Sequence, residues 1–224
     1  MLPCALAGQC RSLRLLALTV VALTLVSSHC DAQAQSVAGI AIGSPMSAVR
    51  QLNGTPADSL VNPPIAIRDF MLASGSQLEV TIDTDLDAVL WLHLGWAGNP
   101  EDAATDFGGF VFGKTTLAAI RKVCGSNGFC HLNGLAPAFE NRGKFMMLNC
   151  YDVVGPEPLV VGFVTEVARE DVEAVQNGTQ GDTDLGDKAR LSWIILASRT
   201  YMDAIWGEKR VSDDPCPPVV WARW

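Results

Sequence analysis

Alternating apolar and polar positions mark a series of short strands along this chain. Segments with a period of two, as in strands buried on one face, occur at 68–73, 77–83, 88–94, 144–151 and 159–166, and the apolar segment at 191–197 is expected to form a final strand. Turn residues such as Ser74-Gly75-Ser76 separate neighbouring segments, so each group is typical of an antiparallel meander.

Helical spacing precedes each group of strands. Met46, Val49 and Leu52 recur at helical intervals after a capping Ser44, and Gly54 is expected to end this helix as a left-handed cap. Farther along, Leu117, Ile120 and Val123 follow a cap at Thr115 or Thr116 and lead to Gly125. Each half therefore predicts a short helix whose apolar stripe packs on a meander.

The two halves share their sequence pattern. Gly39-Ile-Ala-Ile-Gly43 matches Gly109-Phe-Val-Phe-Gly113, each helix start follows, and Arg50 is repeated as Arg121. The predicted fold is α+β, with two tandem helix-plus-meander units at 35–95 and 109–167, a linker at 96–108 and a C-terminal strand-helix extension at 168–224.

Within the extension, the pattern predicts an acidic helix at 169–176, a loop at 177–188 and a closing helix at 201–206. The acidic run Asp182, Asp184 and Asp187 lacks the ligand order of an EF-hand, so a solvated loop is the preferred interpretation over a calcium site. The Pro-rich tail beyond Asp213 cannot be helical throughout.

The first half contains an aliphatic strand flanked by small residues, a capped helix and, at the end of that helix, Gly54-Thr55-Pro56 before the meander. This order resembles the repeat unit of the β-lactamase-inhibitor protein family and of the small outer-membrane assembly lipoproteins. The resemblance covers Val37 to about Val167, and two tandem units are more similar to the inhibitor family. The resemblance implies the fold of two tandem helix-plus-meander units. The second copy lacks the Gly-x-Pro and the inhibitor's contact loops have no residue-by-residue match, so no inhibitory residue is carried over.

The N-terminus has the pattern of an export signal. Arg11 and Arg14 precede an uncharged apolar run at 15–26, and Ala32-Gln33-Ala34 predicts cleavage before Gln35. Twelve apolar residues are too few to span a bilayer, so residues 1–34 are interpreted as a signal peptide rather than an uncleaved anchor. The mature protein is expected to be periplasmic or secreted, without a transmembrane span.

Charge excludes one class of partner. The chain has 16 basic and 24 acidic residues, a formal charge of −8, whereas nucleic-acid-binding proteins usually carry a basic face. No nucleic acid is expected.

Four cysteines remain after the leader: Cys124, Cys130, Cys150 and Cys216. An oxidising compartment favours two disulfides, and the turn-rich segment between Cys124 and Cys130 favours that pair over the other pairings, leaving Cys150 with Cys216. Zinc is the alternative, but the spacing is not C-x-x-C. No metal or other cofactor is expected.

Strand parity predicts an open sheet face suited to binding. The side chains expected there are Trp91, His93, Phe145, Met147 and Tyr151. Aromatic side chains among polar neighbours have the composition of a protein interface. The alternative is that the C-terminal segment or the other sheet packs over them.

No nucleophile motif accompanies His93 or His131, so no catalytic residue is assigned. The preferred hypothesis is a non-catalytic protein that binds an extracytoplasmic partner, and the resemblance implies that this binding is inhibitory. The alternatives are an assembly component of the cell envelope and a hydrolase that uses His131.

Overall fold

A computed structural model of the protein describes residues 36–52, 54–107, 109–131, 138–141, 144–178, 182–208 and 210–211. The first half contains β1 (Ser36–Val37), β2 (Ile40–Ala41), α1 (Met46–Val49), β3 (Gly54–Asn62), β4 (Ile65–Leu72), β5 (Gln77–Asp83), β6 (Ala88–Gly95) and a 3-10 helix (Pro100–Asp102). The second half contains α2 (Leu117–Cys124), β7 (Cys130–His131), β8 (Ala138–Asn141), β9 (Lys144–Val153), β10 (Leu159–Val167), α3 (Arg169–Gln176), α4 (Asp182–Lys188), β11 (Arg190–Ser198), α5 (Arg199–Trp206) and β12 (Arg210–Val211).

An eight-stranded antiparallel sheet dominates the structure, in the order β3-β4-β5-β6-β11-β10-β9-β8. It consists of two four-stranded meanders whose last strands, β6 and β11, pair at the centre, with Leu92 opposite Leu196. The α+β prediction is confirmed at this level.

The sheet has two different faces. Its core face carries the main hydrophobic cluster, including Leu78, Leu92 and Phe163, and is packed by β1, β2, α1, α2 and the segment before α2. Its second face carries another cluster that includes Trp91 and Ile195. The predicted linker at 96–108 is part of the core packing, since Ala103 and Phe107 are buried there.

The capping prediction for the second helix is confirmed. Thr116 Oγ1 accepts a hydrogen bond from the Ala119 N–H at 3.0 Å, and Gly125 ends α2 with a left-handed φ of 69°. Leu117, Ile120 and Cys124 form the buried side of α2.

The first helix differs from the prediction. It ends at Val49, and Gly54 begins β3, where it pairs with Leu72. The cap also comes from elsewhere, because the Met46 N–H donates to Asp87 Oδ1 at 2.9 Å. Local spacing therefore located the helix, whereas strand pairing set its end.

One assignment in the C-terminal extension is wrong, because residues 182–188 form helix α4 instead of a loop. The strand predicted at 191–197 forms β11, which pairs with both β6 and β10 and is the last strand of the second meander. The predicted helices at 169–176 and 201–206 are confirmed as α3 and α5.

The two meanders make matching contacts with the segments that precede α1 and α2. The Gly43 N–H donates to the Val89 carbonyl, and the Val89 N–H donates to Ser44. In the second half, the Gly113 N–H donates to the Leu191 carbonyl, and the Leu191 N–H donates to Thr115.

Both central strands also contain an extra residue at the corresponding place. The β5–β6 register moves from Thr81↔Trp91 to Ile82↔Val89, which leaves Leu90 as a bulge. The β10–β11 register moves from Val164↔Trp193 to Thr165↔Leu191, which leaves Ser192 as a bulge. Val89 thus corresponds to Leu191, and Trp91 to Trp193.

Candidate functional site

Trp91 lies on the second face, as strand parity predicted, but it is not available to a partner. Its indole is 7% exposed and makes edge-to-face contacts with Tyr201 and Trp206, at centroid distances of 6.4 and 5.2 Å. Helix α5 folds back over this part of the sheet. The prediction of Trp91 as a contact residue is therefore wrong, and the C-terminal segment covers it.

Tyr151 lies on the core face and is fully buried, with its ring 6.0 Å from Phe163. Phe145 and Met147 share that face and pack against the cluster that contains Leu117 and Val172. The prediction that these three residues lie on an open face is wrong.

The reason is the position of β9 in the sheet. Strand parity was applied to residues 144–151 as if one face of the strand were open, but β9 lies second from the sheet edge, as β4 does. Its alternate residues Met146, Leu148 and Cys150 are buried on the second face. Because both faces of β9 are covered, its sequence has no polar side that could reveal the parity.

His93 lies on the second face as predicted. Its imidazole is near the Trp193 indole, with ring centroids 5.0 Å apart, and its Nε2 is buried with no hydrogen-bond partner among the described residues. Burial lowers the pKa of His93 from 6.5 to about 4, since a charged imidazole would lose its hydration there. The imidazole is therefore neutral near pH 7.

Two carboxylates continue the row in which His93 lies. Glu79 is directly opposite His93 across the β5–β6 ladder, and Asp69 is directly opposite Glu79 across the β4–β5 ladder. Directly opposed side chains on one face have Cβ atoms roughly 5 Å apart. Burial and, secondarily, the charge of Asp69 raise the pKa of Glu79 above its ordinary value.

Tyr201 closes one side of this row. Burial raises the pKa of its phenol, a hydrogen bond with Thr81 lowers it, and the charge of Glu79 raises it. Helix α5 thus reaches from Trp91 to the edge of the carboxylate pair.

On the other side of the row, Trp193 lies beside Gly95, which is directly opposite it on β6. A Cβ on Gly95 would be 3.7 Å from the indole Cδ1 and Nε1, an ordinary contact distance. Trp193 itself is only partly buried.

Farther from α5, the second face is open. Met71 is 44% exposed, Gln77 is exposed, and Ile67 is partly buried. We define the open surface as the side chains of Ile67, Asp69, Met71, Gln77, Glu79, His93 and Trp193.

Sequence reasoning missed Trp193, Asp69 and Glu79 as site residues. Trp193 could have been found by aligning Val89-Leu-Trp-Leu-His-Leu94 with Leu191-Ser-Trp-Ile-Ile-Leu196. Strand parity places Glu79 on the same face as His93, but the pairing of Asp69 and Glu79 with His93 depends on the ladder register, which has no local signal.

A charged cluster fixes α5 in place. Arg210 forms ion pairs with Asp152 and Asp203, and its guanidinium lies 4.3 Å from the centroid of the Phe129 ring. Arg199, in the first turn of α5, is within 3.9 Å of Asp152 and 3.7 Å of Asp203. The cover over Trp91 is thus linked to β9 and β12.

The cysteine and catalytic predictions are not tested by the described residues. Cys124 and Cys150 are buried, whereas Cys216 and the side chains of Cys130 and His131 lie outside the described part of the chain. The predicted signal peptide at 1–34 also lies outside it. Among the residues that the structure describes, no group of three or more His, Cys, Asp or Glu side chains could hold a metal ion.

None of the helices in the described ranges has the length and apolar character needed to cross a membrane. In comparisons with known proteins, no family model, curated protein or solved structure matches this chain.

Proposed function

We propose that this protein is exported and binds another extracytoplasmic protein, without catalysis, through the open surface. The observation that supports the proposal is the unequal cover of the second face. Helix α5 encloses Trp91, while Met71 and Gln77 remain exposed beside the partly buried Trp193.

The composition of the open surface suits a protein partner. Apolar side chains from Ile67, Met71 and Trp193 surround a polar row formed by Glu79 and His93. Protein interfaces are enriched in aromatic residues and methionine and place polar groups around apolar anchors. A partner that covers this face would bury apolar area that now contacts water.

We also infer that the two meanders are tandem copies of one unit, the second of which includes β11. The matching bonds of Gly43 and Gly113 support this inference, as do the corresponding bulges at Leu90 and Ser192. In that view α5 is an addition after the second copy, which explains why only one part of the second face is covered.

A capture experiment tests the proposed function. The mature, oxidised protein is used as bait on envelope and culture fractions, beside a Met71→Glu variant and a Leu86→Glu control. Leu86 is 73% exposed but lies in the β5–β6 turn, so the control replaces an apolar side chain that is more accessible than Met71 and lies outside the open surface.

We expect one stoichiometric partner that is retained by wild type and Leu86→Glu and is reduced at least about tenfold with Met71→Glu, because an interfacial anchor commonly contributes about 2 kcal/mol. Circular dichroism verifies that both variants fold. Equal recovery with all three baits, or no stoichiometric partner, would contradict the proposal.

A further inference from the structure

Trp91 and Trp193 occupy corresponding positions but have different surroundings. Each follows the bulge residue of its central strand, and each lies on the second face. Tyr201 and Trp206 enclose Trp91, which is 7% exposed. Trp193 is less buried, and its indole lies at ordinary contact distance from Gly95, which is opposite it on β6.

His93 and Ile195, each two residues after its tryptophan, are directly opposite each other and belong to one row of paired residues across the sheet. The polarity of this row differs between the two meanders. On the first meander it contains Asp69, Glu79 and His93. On the second meander the same row contains Cys150, Gly162 and Ile195, all buried. The open surface is therefore distinguished by negative charge as well as by exposure.

Nothing in the described structure neutralises the Glu79 carboxylate. No ion pair among the described residues involves Glu79, and the ionisable groups that face it are Asp69 from β4, His93 from β6 and Tyr201 from α5. Because His93 is neutral near pH 7, it supplies no compensating charge. The Nε2 of His93, in the same row, is also enclosed and has no hydrogen-bond partner among the described residues.

We infer that the partner places an arginine side chain on the open surface, with its guanidinium against the Trp193 indole and its N–H groups donating to the Glu79 carboxylate. This inference rests on the proposed function and names the chemistry of the partner. A planar guanidinium can stack on an indole and donate to carboxylates at the same time, whereas the ammonium of lysine is a hydrated point charge.

Titration of N-acetyl-arginine methylamide into the full, isotope-labelled protein tests the inference, with the Trp193 indole N–H signal as the readout. Glu79→Gln is the test variant, and Asp85→Asn is the matched control because Asp85 is an exposed carboxylate in the β5–β6 turn. The neutral isostere N-acetyl-citrulline methylamide and the corresponding lysine compound are titrated in parallel.

We expect a saturable shift of the Trp193 signal with the arginine compound. The dissociation constant should increase about tenfold in Glu79→Gln and remain unchanged in Asp85→Asn, because one charge-assisted hydrogen bond is lost. Citrulline should bind at least about tenfold more weakly than arginine, for the same reason.

Each contrary result overturns the inference. An unchanged dissociation constant in Glu79→Gln, an equal effect of citrulline, tighter binding of lysine, or no shift at all would show that the surface does not select a guanidinium. If recovery of the partner still depended on Met71, the proposed function would stand and only the inferred arginine contact would be rejected. If capture did not depend on Met71 and the arginine compound gave no selective shift, the open surface would be rejected as a binding site.

Discussion

His93 and Glu79 are adjacent on one sheet face, yet burial acts on their charges in opposite directions. For the imidazole, burial opposes protonation and lowers the pKa to about 4. For the carboxyl, burial and Asp69 oppose ionisation and raise the pKa. Each shift favours the neutral form of its side chain, which is the form that requires least hydration.

A pH dependence of folding follows from His93. The unfolded imidazole binds a proton below about pH 6.5, whereas the folded one does so only near pH 4, so this group's contribution to stability is lost as the pH falls through that interval. Replacing His93 by Ile, the residue found at the corresponding position 195, should remove about 2–3 kcal/mol of the stability change between pH 7 and pH 4.5. Urea unfolding of wild type and His93→Ile at both pH values measures this difference in the free energy of unfolding.

Glu79→Gln provides the control of opposite sign. Because the folded pKa of Glu79 is raised, its ionisation destabilises the fold as the pH rises, and this variant should lose less stability than wild type toward neutral pH. If His93→Ile and wild type showed the same pH dependence, the buried neutral imidazole would be contradicted.

Among the elements, α5 decides which part of the second face is available. The sequence predicted a closing helix at 201–206, and the structure confirms it as part of α5. Its packing on Trp91 could not be predicted, because Trp91 and Trp206 are 115 positions apart and the contact depends on the pairing of β6 with β11. Local spacing identifies a helix, but it does not identify the surface on which the helix lies.

The N-terminal cap of α5 gives a prediction at this scale. Ser198 Oγ accepts a hydrogen bond from the Tyr201 N–H at 3.2 Å, so Ser198→Ala should lower the free energy of unfolding by about 1 kcal/mol. Urea unfolding measures the loss, and acrylamide quenching of tryptophan fluorescence should increase as Trp91 becomes accessible. Thr200→Ala, at an exposed position in the same turn, should change stability by less than about 0.5 kcal/mol. Equal stability of the two variants would show that the cap does not hold α5.

At the scale of the whole molecule, the β6–β11 pairing joins the two meanders through one core. Leu92 and Leu196 are directly opposite each other and fully buried. The main cluster contains residues of both meanders, including Leu78 and Phe163. A shared core of this kind makes the unfolding of one meander dependent on the other.

We therefore expect Leu92→Ala to lower the free energy of unfolding by about 3 kcal/mol within a single transition, since it creates a cavity at the centre of the shared core. Circular dichroism and tryptophan fluorescence should give coincident urea curves. Leu86→Ala, which changes a 73% exposed side chain, should have little effect. Two separated transitions, with only one of them shifted, would show that the meanders unfold independently.

The sequence by itself determined the elements whose signals are local. Alternation located β5, and a cap at Thr115 or Thr116 with Gly125 located the ends of α2 to within one residue, because side-chain parity and capping involve neighbours within a few residues. The tertiary structure alone decided that β11 completes the second meander, that Tyr151 belongs to the core and that α5 covers Trp91. These features depend on which distant surfaces meet, and a strand that is apolar on both sides, such as β9, carries no local mark of the face that each partner covers.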